Sequence, residues 1–279
     1  MREIDVKLIT QKIRSLSIEA NTILGEDVIS AYKKGLEKEE SYIGKDSFRQ
    51  LLENAKIAKE ERVALCQDTG LVVVFVELGQ EVHLVGGDLN EAIHEGVRQG
   101  YRDGYFRASS LDPLSRRNIG DNTPAIIHVE IVQGDRLKLT VAPKGFGSEN
   151  MSRVALFPPA VGIEGVKKFI VQRVEESGSN PCPPIVVGVG IGGTFEKAAL
   201  IAKKSLLRSL GQRHPNPDIA KLEEELLEEI NRLGIGPLGL GGKMTALDVH
   251  IETFPTHIAS IPVAVNIQCH CGRHKEEVL

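Results

Sequence analysis

Residues 66–70, with the sequence Cys-Gln-Asp-Thr-Gly, place a thiol, an amide, a carboxyl and a hydroxyl in consecutive positions before a glycine. The preceding segment, 60–65, has the pattern of a helix end, and the apolar run 71–76 that follows is short enough for a buried strand. A loop that regular structure holds at both ends can present such groups to a ligand. The alternative is a turn that contains a buried cysteine, and the other cysteines bear on that choice.

Cys66, Cys182 and Cys269 stand far apart in the sequence, each beside a turn at the end of a predicted element. Their spacing matches no local zinc-finger or ferredoxin pattern, so only tertiary folding can bring them together. Three thiolates that hold a [4Fe-4S] cluster leave one iron open to a substrate hydroxyl and carboxylate, and that chemistry adds or removes water. We assign Cys271 a non-ligand role because, two positions from Cys269, it can hardly reach another iron of the same cluster.

Two other classes of protein remain open on these residues alone. Cys269, Cys271 and His274 form a C-x-C-x-x-H pattern that Cys66 or Cys182 could complete, which predicts a zinc-binding structural subunit. The second alternative is an NAD-binding enzyme, which a glycine pattern described below suggests. The colour of anaerobically purified protein, with iron and sulfide analysis, separates all three.

The composition is that of an ordinary globular protein, with 41% hydrophobic and 26% charged residues over 279 positions. No apolar run approaches the roughly 18 residues that a membrane span requires. A formal net charge of -4, with basic pairs that are isolated, argues against a nucleic-acid surface. Residues 1–7 have no pattern of a signal or transit peptide, so we expect a cytoplasmic protein without disulfides.

The segments around the cysteines predict an α+β fold, in which a helical N-terminal layer over about residues 1–62 packs with mixed or antiparallel sheets and surrounding helices. We expect one domain over residues 1–279. Helical patterns cover 6–23, 27–37, 45–61, a segment capped near Asp88 or Asn90 that runs to about 102, 162–176, 196–210 and 218–233. Strand patterns cover 71–76, 185–190 and 245–268, and the alternating runs 125–131 and 136–141 predict a hairpin.

Polar and glycine-rich loops lie between these elements. The loop 106–124 is long enough to predict a functional or a disordered segment. Glycines in 143–150 let backbone amides approach a ligand closely. Prolines on both sides of Cys182 restrict its backbone, which suits a fixed ligand better than a mobile redox thiol. A further glycine-rich loop, 234–242, precedes Lys243 and has no assigned role.

Gly188, Gly190 and Gly193 match the G-x-G-x-x-G pattern of dinucleotide-binding folds. We reject that interpretation because the second helix after the pattern is followed by neither a returning strand nor an acidic residue at its end. Close packing of a helix on the strand, or binding of a simple anion, explains the glycines equally well.

These motifs resemble those of the class I, iron–sulfur-dependent fumarate hydratases and the related L-tartrate dehydratases. The resemblance rests on residues 66–70, Arg107 with Ser109, Asn118 with 120–124, 144–150, Cys182, 188–194 and 257–269. It covers most of the chain, from about residue 60 to 274, and the joint pattern is specific.

The resemblance also implies which residues do the chemistry. A [4Fe-4S] cluster is expected on three of the cysteines: Cys66, Cys182 and Cys269. A small dicarboxylate is expected near the open iron, bound by Gln67, Asp68, Arg107 and the backbone of Gly147. The expected catalytic residues are Asp68, which takes part in proton transfer, and His257, the family's active-site histidine.

The sequence departs from the single-chain enzymes of this family in one large way. It stops after the Cys269 segment, where those enzymes continue into a C-terminal domain that supplies further arginines, a lysine and a threonine to the substrate. The chain thus resembles the alpha subunit of the two-subunit form, and we expect a beta subunit in an assembly of two copies of each, α2β2. Fumarate, tartrate and other 2-hydroxy diacids are the candidate substrates.

Overall fold

The predicted α+β fold is confirmed by the computed structural model, which describes residues 2–279. Met1, the first residue of the predicted helical layer, lies outside the described residues. The helices are α1 (Val6–Thr22), α2 (Glu26–Lys38), α3 (Tyr42–Glu61), α4 (Leu89–Asp103), α5 (Phe146–Glu149), α6 (Gly162–Ser177), α7 (Phe195–Ser205) and α8 (Pro217–Arg232). The strands are β1 (Arg2–Asp5), β2 (Leu71–Gly79), β3 (Val82–Val85), β4 (Ile126–Val132), β5 (Leu137–Lys144), β6 (Arg153–Phe157), β7 (Ile185–Gly192), β8 (Ala246–Phe254), β9 (Ile261–Gln268) and β10 (Lys275–Val278).

Side-chain caps begin several of these helices, and the cap at Asp88 lies where the sequence predicts it. Asp88 accepts the backbone N–H of Glu91 at 3.0 Å and begins α4, and Asn216 accepts that of Asp218 at 2.9 Å and begins α8. Helix α7 ends at Ser205 instead of near residue 210. Among residues 2–279, no helix is both long and apolar enough to cross a membrane.

The residues group into two compact units by their internal contacts. Unit 1 consists of Met1–Gly25, Asn54–Phe146 and Arg273–Leu279. Unit 2 consists of Glu26–Glu53 and Gly147–Gly272. Helix α3 contributes residues to both units, because the boundary falls between Glu53 and Asn54. One domain over residues 1–279 stays a prediction.

Unit 1 contains a four-stranded sheet with the order β10-β5-β2-β4. Strand β2 pairs antiparallel with β5 and parallel with β4, so the predicted hairpin of β4 and β5 is wrong. The alternation of these two strands sets which side chains face the core, but it does not determine their partners. Residues 72–76 of β2 are all buried, which is the pattern of a central strand with a neighbour on each side.

Helices α1 and α4 pack together on one face of this sheet. Alternate residues of the strands point to the helices, among them Val74 of β2 and Leu139 of β5. Ile13 of α1 and Ile93 of α4 are fully buried in the same core. This core holds β2, the strand that directly follows residues 66–70.

Unit 2 contains a second four-stranded sheet with the order β6-β9-β7-β8. Strands β7 and β8 are parallel neighbours, and the chain passes through α7 and α8 between them. The expectation that no strand returns after the second helix is therefore wrong. The alternating pattern over 245–268 predicts strands β8 and β9 correctly, but it contains no signal for parallel pairing with β7.

The glycines of the G-x-G pattern make room for α7. Val187 and Val189 point to the core that β7 shares with α6 and α8, so the intervening glycines point to the opposite face. A Cβ at Gly188 would lie 2.3 Å from the carbonyl oxygen of Ala202, and one at Gly190 would lie 2.1 Å from that of Ala198. Both oxygens belong to α7, so close helix packing accounts for these two glycines.

We expect Gly190→Ala to destabilise the chain by about 1–3 kcal/mol, because the added Cβ overpacks the contact with α7. Thermal unfolding should show a lower midpoint for this variant. Ala199→Leu is the control, since it adds carbon atoms on the exposed side of the same helix and should change stability by about 0.5 kcal/mol or less. Equal losses in the two variants would contradict the packing role.

Candidate active site

The sheet of unit 1 brings residues 66–70 beside the glycine loop that begins at residue 145. Strand β2 begins at Leu71, directly after the first segment, and β5 ends at Lys144, directly before the second. The two strands are antiparallel, with Leu71 opposite Lys144. The start of one strand and the end of the other therefore share one edge of the sheet.

Asp68 is held by backbone groups on both sides of this edge. Its Oδ1 accepts the N–H of Gly70 at 3.0 Å, and its Oδ2 accepts the N–H of Phe146 at 2.8 Å. The guanidinium of Arg273 donates to its backbone carbonyl. The half-buried carboxylate is thus fixed in orientation, and its oxygens retain lone pairs for a further partner.

Cys66 lies beside this carboxylate in the same loop. The backbone N–H of Asp68 donates to Cys66 Sγ at 3.4 Å, and Sγ lies at the same distance from Oε1 of the exposed Gln67. The three predicted site residues 66–68 therefore form one local cluster.

The loop that carries Arg107 is tied to residues 66–70 by two side chains. Thr69 Oγ1 donates to the carbonyl of Arg107 at 3.0 Å. Asn122 is fully buried, and its Nδ2 donates to the carbonyl of Gly70 at 3.0 Å while its Oδ1 accepts the N–H of Ser109 at 2.8 Å. These bonds fix the backbone of Arg107 beside the loop, and its side chain is exposed.

Tyr101 of α4 is a residue of this site that the sequence patterns do not single out. Its hydroxyl donates to the carbonyl of Thr69 at 2.6 Å and lies 3.3 Å from that of Gly70. Burial raises the pKa of Tyr101 well above its ordinary value, so the hydroxyl keeps its proton and remains a donor. The helical pattern of α4 predicts that Tyr101 faces the core, but it does not predict these hydrogen bonds.

The sheet of unit 2 brings Cys182 and Cys269 together in a corresponding way. Strand β7 begins three residues after Cys182, and β9 ends at Gln268, directly before Cys269. These strands are antiparallel, with Val186 opposite Gln268. The N–H of His270 donates to the carbonyl of Cys182 at 3.2 Å, which joins the two cysteine segments at one edge of the sheet.

Cys182 has a left-handed backbone, with a φ of 54°. Such a conformation costs a residue other than glycine roughly 1–3 kcal/mol, so surrounding contacts must maintain it. Its N–H donates to the carbonyl of Ser179 at 3.0 Å, and its carbonyl accepts from His270. The cysteine side chain is exposed in this fixed conformation, as the flanking prolines predict for a ligand.

The remaining two cysteines differ in their surroundings. Cys269 is half-buried, and the side-chain amide of Gln268 lies 3.6 Å from its sulfur. Cys271 is 2% exposed, and its carbonyl accepts the same amide at 3.1 Å. The four cysteines are thiols and not disulfides.

Gly147 and His257 also belong to unit 2. Gly147 is exposed in α5. His257 is exposed in the connection between β8 and β9, where its Nδ1 accepts the N–H of Ala259 at 3.2 Å. Because β9 separates His257 from Cys269 by the eight residues of the strand, about 25 Å, the structure does not bring these two residues of one chain together.

Within residues 2–279, no three His, Cys, Asp or Glu side chains lie close enough together to hold a metal ion. The thiolates of an iron–sulfur cluster bind different irons, so they need not share one ion. The N–H donors to the sulfurs of Cys66 and Cys269 fit thiolate ligands of such a cluster.

A family model described as fumarate hydratase (Fumerase) matches residues 10–278. The chain belongs to the fumarate hydratase family. Within the family it is similar to a Methanocaldococcus jannaschii protein with the provisional name L(+)-tartrate dehydratase subunit alpha, which is 44% identical over 272 residues, or 95% of each chain. It is also similar to L(+)-tartrate dehydratase subunit alpha of Escherichia coli K12, which is 33% identical over 272 residues, or 96% of this chain and 89% of the other. The resemblance predicted from the motifs is confirmed.

In this fumarate hydratase family member, we expect Asn122→Ala to lower the free energy of unfolding by about 1–3 kcal/mol, because the part-buried N–H of Ser109 loses its partner and the buried carbonyl of Gly70 keeps only the 3.3 Å contact with Tyr101. Chemical denaturation measures the loss. Asn118→Ala is the matched control: Asn118 also donates to a carbonyl, at 2.8 Å, and accepts an N–H, at 2.7 Å, but it is exposed to water. A control that lost as much stability would show that burial of Asn122 is unimportant.

Proposed function

We propose that this chain is the catalytic alpha subunit of an iron–sulfur hydro-lyase. The reaction is the reversible hydration of fumarate to malate, or the dehydration of a related 2-hydroxy dicarboxylate such as tartrate. The observation that carries the proposal is the match to the fumarate hydratase family over residues 10–278. The relatives from M. jannaschii and E. coli, both named as alpha subunits of a dehydratase, support the catalytic-subunit role.

The proposed cofactor is a [4Fe-4S] cluster held by Cys66, Cys182 and Cys269. Its fourth iron supplies a Lewis acid for the hydroxyl and carboxylate of the substrate. The hydrogen bonds to Cys66 and Cys269 and the fixed, exposed side chain of Cys182 support this ligand set. The near-complete burial of Cys271 supports its assignment as a non-ligand.

The proposed substrate contacts are made by Gln67, Asp68, Arg107 and the backbone of Gly147. Gln67 and Arg107 have exposed side chains beside the Cys66 loop, so they are available to carboxylate oxygens. Arg107 can neutralise one carboxylate, and a dicarboxylate in a dry site needs further cationic donors. We assign these donors to a beta subunit, in an assembly of two copies of each chain.

Asp68 is the proposed acid–base residue. Removal of water requires that a proton leave the carbon next to a carboxylate and that the departing hydroxyl gain one, and hydration reverses both transfers. The carboxylate of Asp68 is oriented by two N–H groups and is half-buried beside Cys66, which suits it to one of these transfers. We assign it an acid–base role in either direction.

His257 is the second proposed catalytic residue. The strand β9 holds it about 25 Å from Cys269 of its own chain. We therefore assign His257 to the site of a second alpha copy, which an assembly with two copies of each subunit supplies. Its exposure in the β8–β9 connection leaves it available to that copy.

We expect Cys66→Ser, Cys182→Ser and Cys269→Ser each to impair cluster assembly, whereas Cys271→Ser should largely preserve it. Iron and acid-labile sulfide per chain, with the visible absorption spectrum of anaerobically purified protein, measure the effect. The Cys271 variant is the internal control for a lost thiol. Loss of the cluster in that variant alone would refute the ligand assignment, and wild-type protein that contains zinc without sulfide would refute the proposed cofactor.

We expect Asp68→Asn to lower kcat by roughly 10²-fold or more, because the substitution deletes the titratable group and nearly keeps its shape. The assay follows fumarate hydration with the partner subunit present and the cluster verified by its spectrum. Gln67→Asn is a useful comparison, since a pure binding residue should mainly raise KM. Near-normal kcat with a raised KM in Asp68→Asn would make Asp68 a binding residue instead.

A further inference from the structure

One face of helix α2 carries two polar side chains that are almost completely buried. Tyr32 and Glu39 are each 1% exposed. Glu39 directly follows the last residue of α2, and its N–H bonds to the carbonyl of Gly35, so it continues the helical path. Seven residues make two helical turns, so the two side chains lie on the same side of α2. All their partners described below belong to unit 2.

The carboxylate of Glu39 accepts four backbone N–H groups from two segments. Its Oε1 accepts those of Glu40 and Ser41 at 2.9 and 3.0 Å. Its Oε2 accepts those of Lys243 and Met244, also at 2.9 and 3.0 Å. Burial acts to raise the pKa of Glu39, but the four N–H groups together lower it below its ordinary value, so the group is a charged acceptor.

This carboxylate fixes one end of the glycine-rich loop 234–242, which has no role in the proposed reaction. A Cβ at Gly242 would lie 2.7 Å from Glu39 Oε2, so the backbone of the loop approaches the carboxylate as only glycine allows. Farther along, the loop is closed by the N–H of Gly241, which bonds to the carbonyl of Ile235 at 2.9 Å. The loop is therefore a compact connector.

The other end of the connector contacts the Cys182 corner. The N–H of Leu238 donates to the carbonyl of Pro183 at 2.7 Å. Gly239 packs against Ser179, where a Cβ would lie 2.2 Å from the serine Cβ. Ser179 in turn accepts the N–H of Cys182. Through this loop, Glu39 sets the backbone on both sides of Cys182.

Tyr32 makes the corresponding contact with the Cys269 segment. Its hydroxyl donates to the carbonyl of His270 at 2.8 Å and lies 3.1 Å from Nδ1 of that residue. Burial, with a smaller contribution from Cys271 and Cys269, raises the pKa of Tyr32 well above its ordinary value, so the hydroxyl stays protonated. One helix thus holds the chain beside Cys182 and Cys269.

We propose that Tyr32 and Glu39 are positioning residues that set the relative placement of Cys269 and Cys182 for cluster binding. The inference rests on the proposed function for its purpose, since that function makes both cysteines ligands. Both residues act on backbone geometry. Glu39 acts through the loop 234–242 and the two residues that follow it, and Tyr32 acts through His270. Neither residue touches the substrate in this assignment. Residues that orient metal ligands without binding the metal typically contribute about 10- to 100-fold to metal affinity.

Glu39→Gln and Tyr32→Phe are the test variants. Glutamine has one acceptor oxygen, so its amide cannot accept from both pairs of N–H groups. Phenylalanine keeps the ring of Tyr32 and removes the hydroxyl alone. Glu223→Gln is the matched control, because Glu223 is also fully buried and also accepts backbone N–H groups. It accepts the N–H of Ile251 in β8 at 2.8 Å and that of His214, in the connection from α7 to α8, at 3.0 Å.

Amide hydrogen exchange of the full apo chain tests the positioning directly. We expect Glu39→Gln to speed exchange at Leu238, Lys243 and Met244 by about 10-fold or more, the scale of one lost charge-assisted hydrogen bond. Tyr32→Phe should speed exchange of the His270 amide. Glu223→Gln should leave all four amides at the wild-type rate while it lowers the midpoint of thermal unfolding.

Iron release from the anaerobic, cluster-loaded chain to a chelator tests the consequence. We expect both α2 variants to lose iron about 10-fold faster than wild type, with Glu223→Gln unchanged. Wild-type exchange at Leu238 in Glu39→Gln, or equal iron loss in the Glu223 variant, would overturn the inference. A wild-type chain that binds no iron–sulfur cluster would overturn the proposed function instead, and the exchange result would still decide on the positioning.

Discussion

Backbone groups in the irregular segments beside the cysteines need hydrogen-bond partners wherever they are buried, and no helix or sheet ladder supplies them. In each unit, buried side chains from elsewhere in the chain fill this need. Tyr101 and Asn122 bond to residues 66–70 in unit 1. In unit 2, Tyr32 bonds to His270 beside Cys269, and Glu39 bonds to the end of the loop that contacts the Cys182 segment. The site loops are therefore held by specific polar contacts that the protein interior makes costly to lose.

The two four-stranded sheets position their loops in the same way. In each, an antiparallel pair places the start of one strand beside the end of another, and a chemical group follows at that edge. Asp68 and the residue-145 loop meet in this way beside β2 and β5, and Cys182 and Cys269 meet beside β7 and β9. The strands thus determine where the loop residues begin, and a few hydrogen bonds set the final geometry of the loops.

Much of this arrangement can be predicted from the sequence, because local patterns report local structure. The seven longer helices, six of the strands (β2, β4, β5, β7, β8 and β9), the cap at Asp88 and the clustered polar groups at 66–70 follow from periodicity and turn chemistry. The short helix α5 and strands β1, β3, β6 and β10 do not. Strand partners do not, since the pattern of β4 is the same whether its neighbour is β2 or β5. The parallel pairing of β7 with β8 cannot be predicted for the same reason. The roles of Tyr101 and Glu39 cannot be predicted either, because each acts on a segment distant in sequence and neither stands in a recognisable motif.

Strand β10 and Arg273 are the parts of unit 1 that are synthesised last. Strand β10 completes the sheet of unit 1 by pairing with β5, and Arg273 bonds to the carbonyl of Asp68. Both follow the whole of unit 2 in the chain, so during synthesis unit 1 cannot be finished until every residue of unit 2 has been made. The loop of Cys66 therefore gains its last contact only after Cys182 and Cys269 exist. A nascent chain therefore holds Cys66 in an incomplete loop until residue 273 has been made.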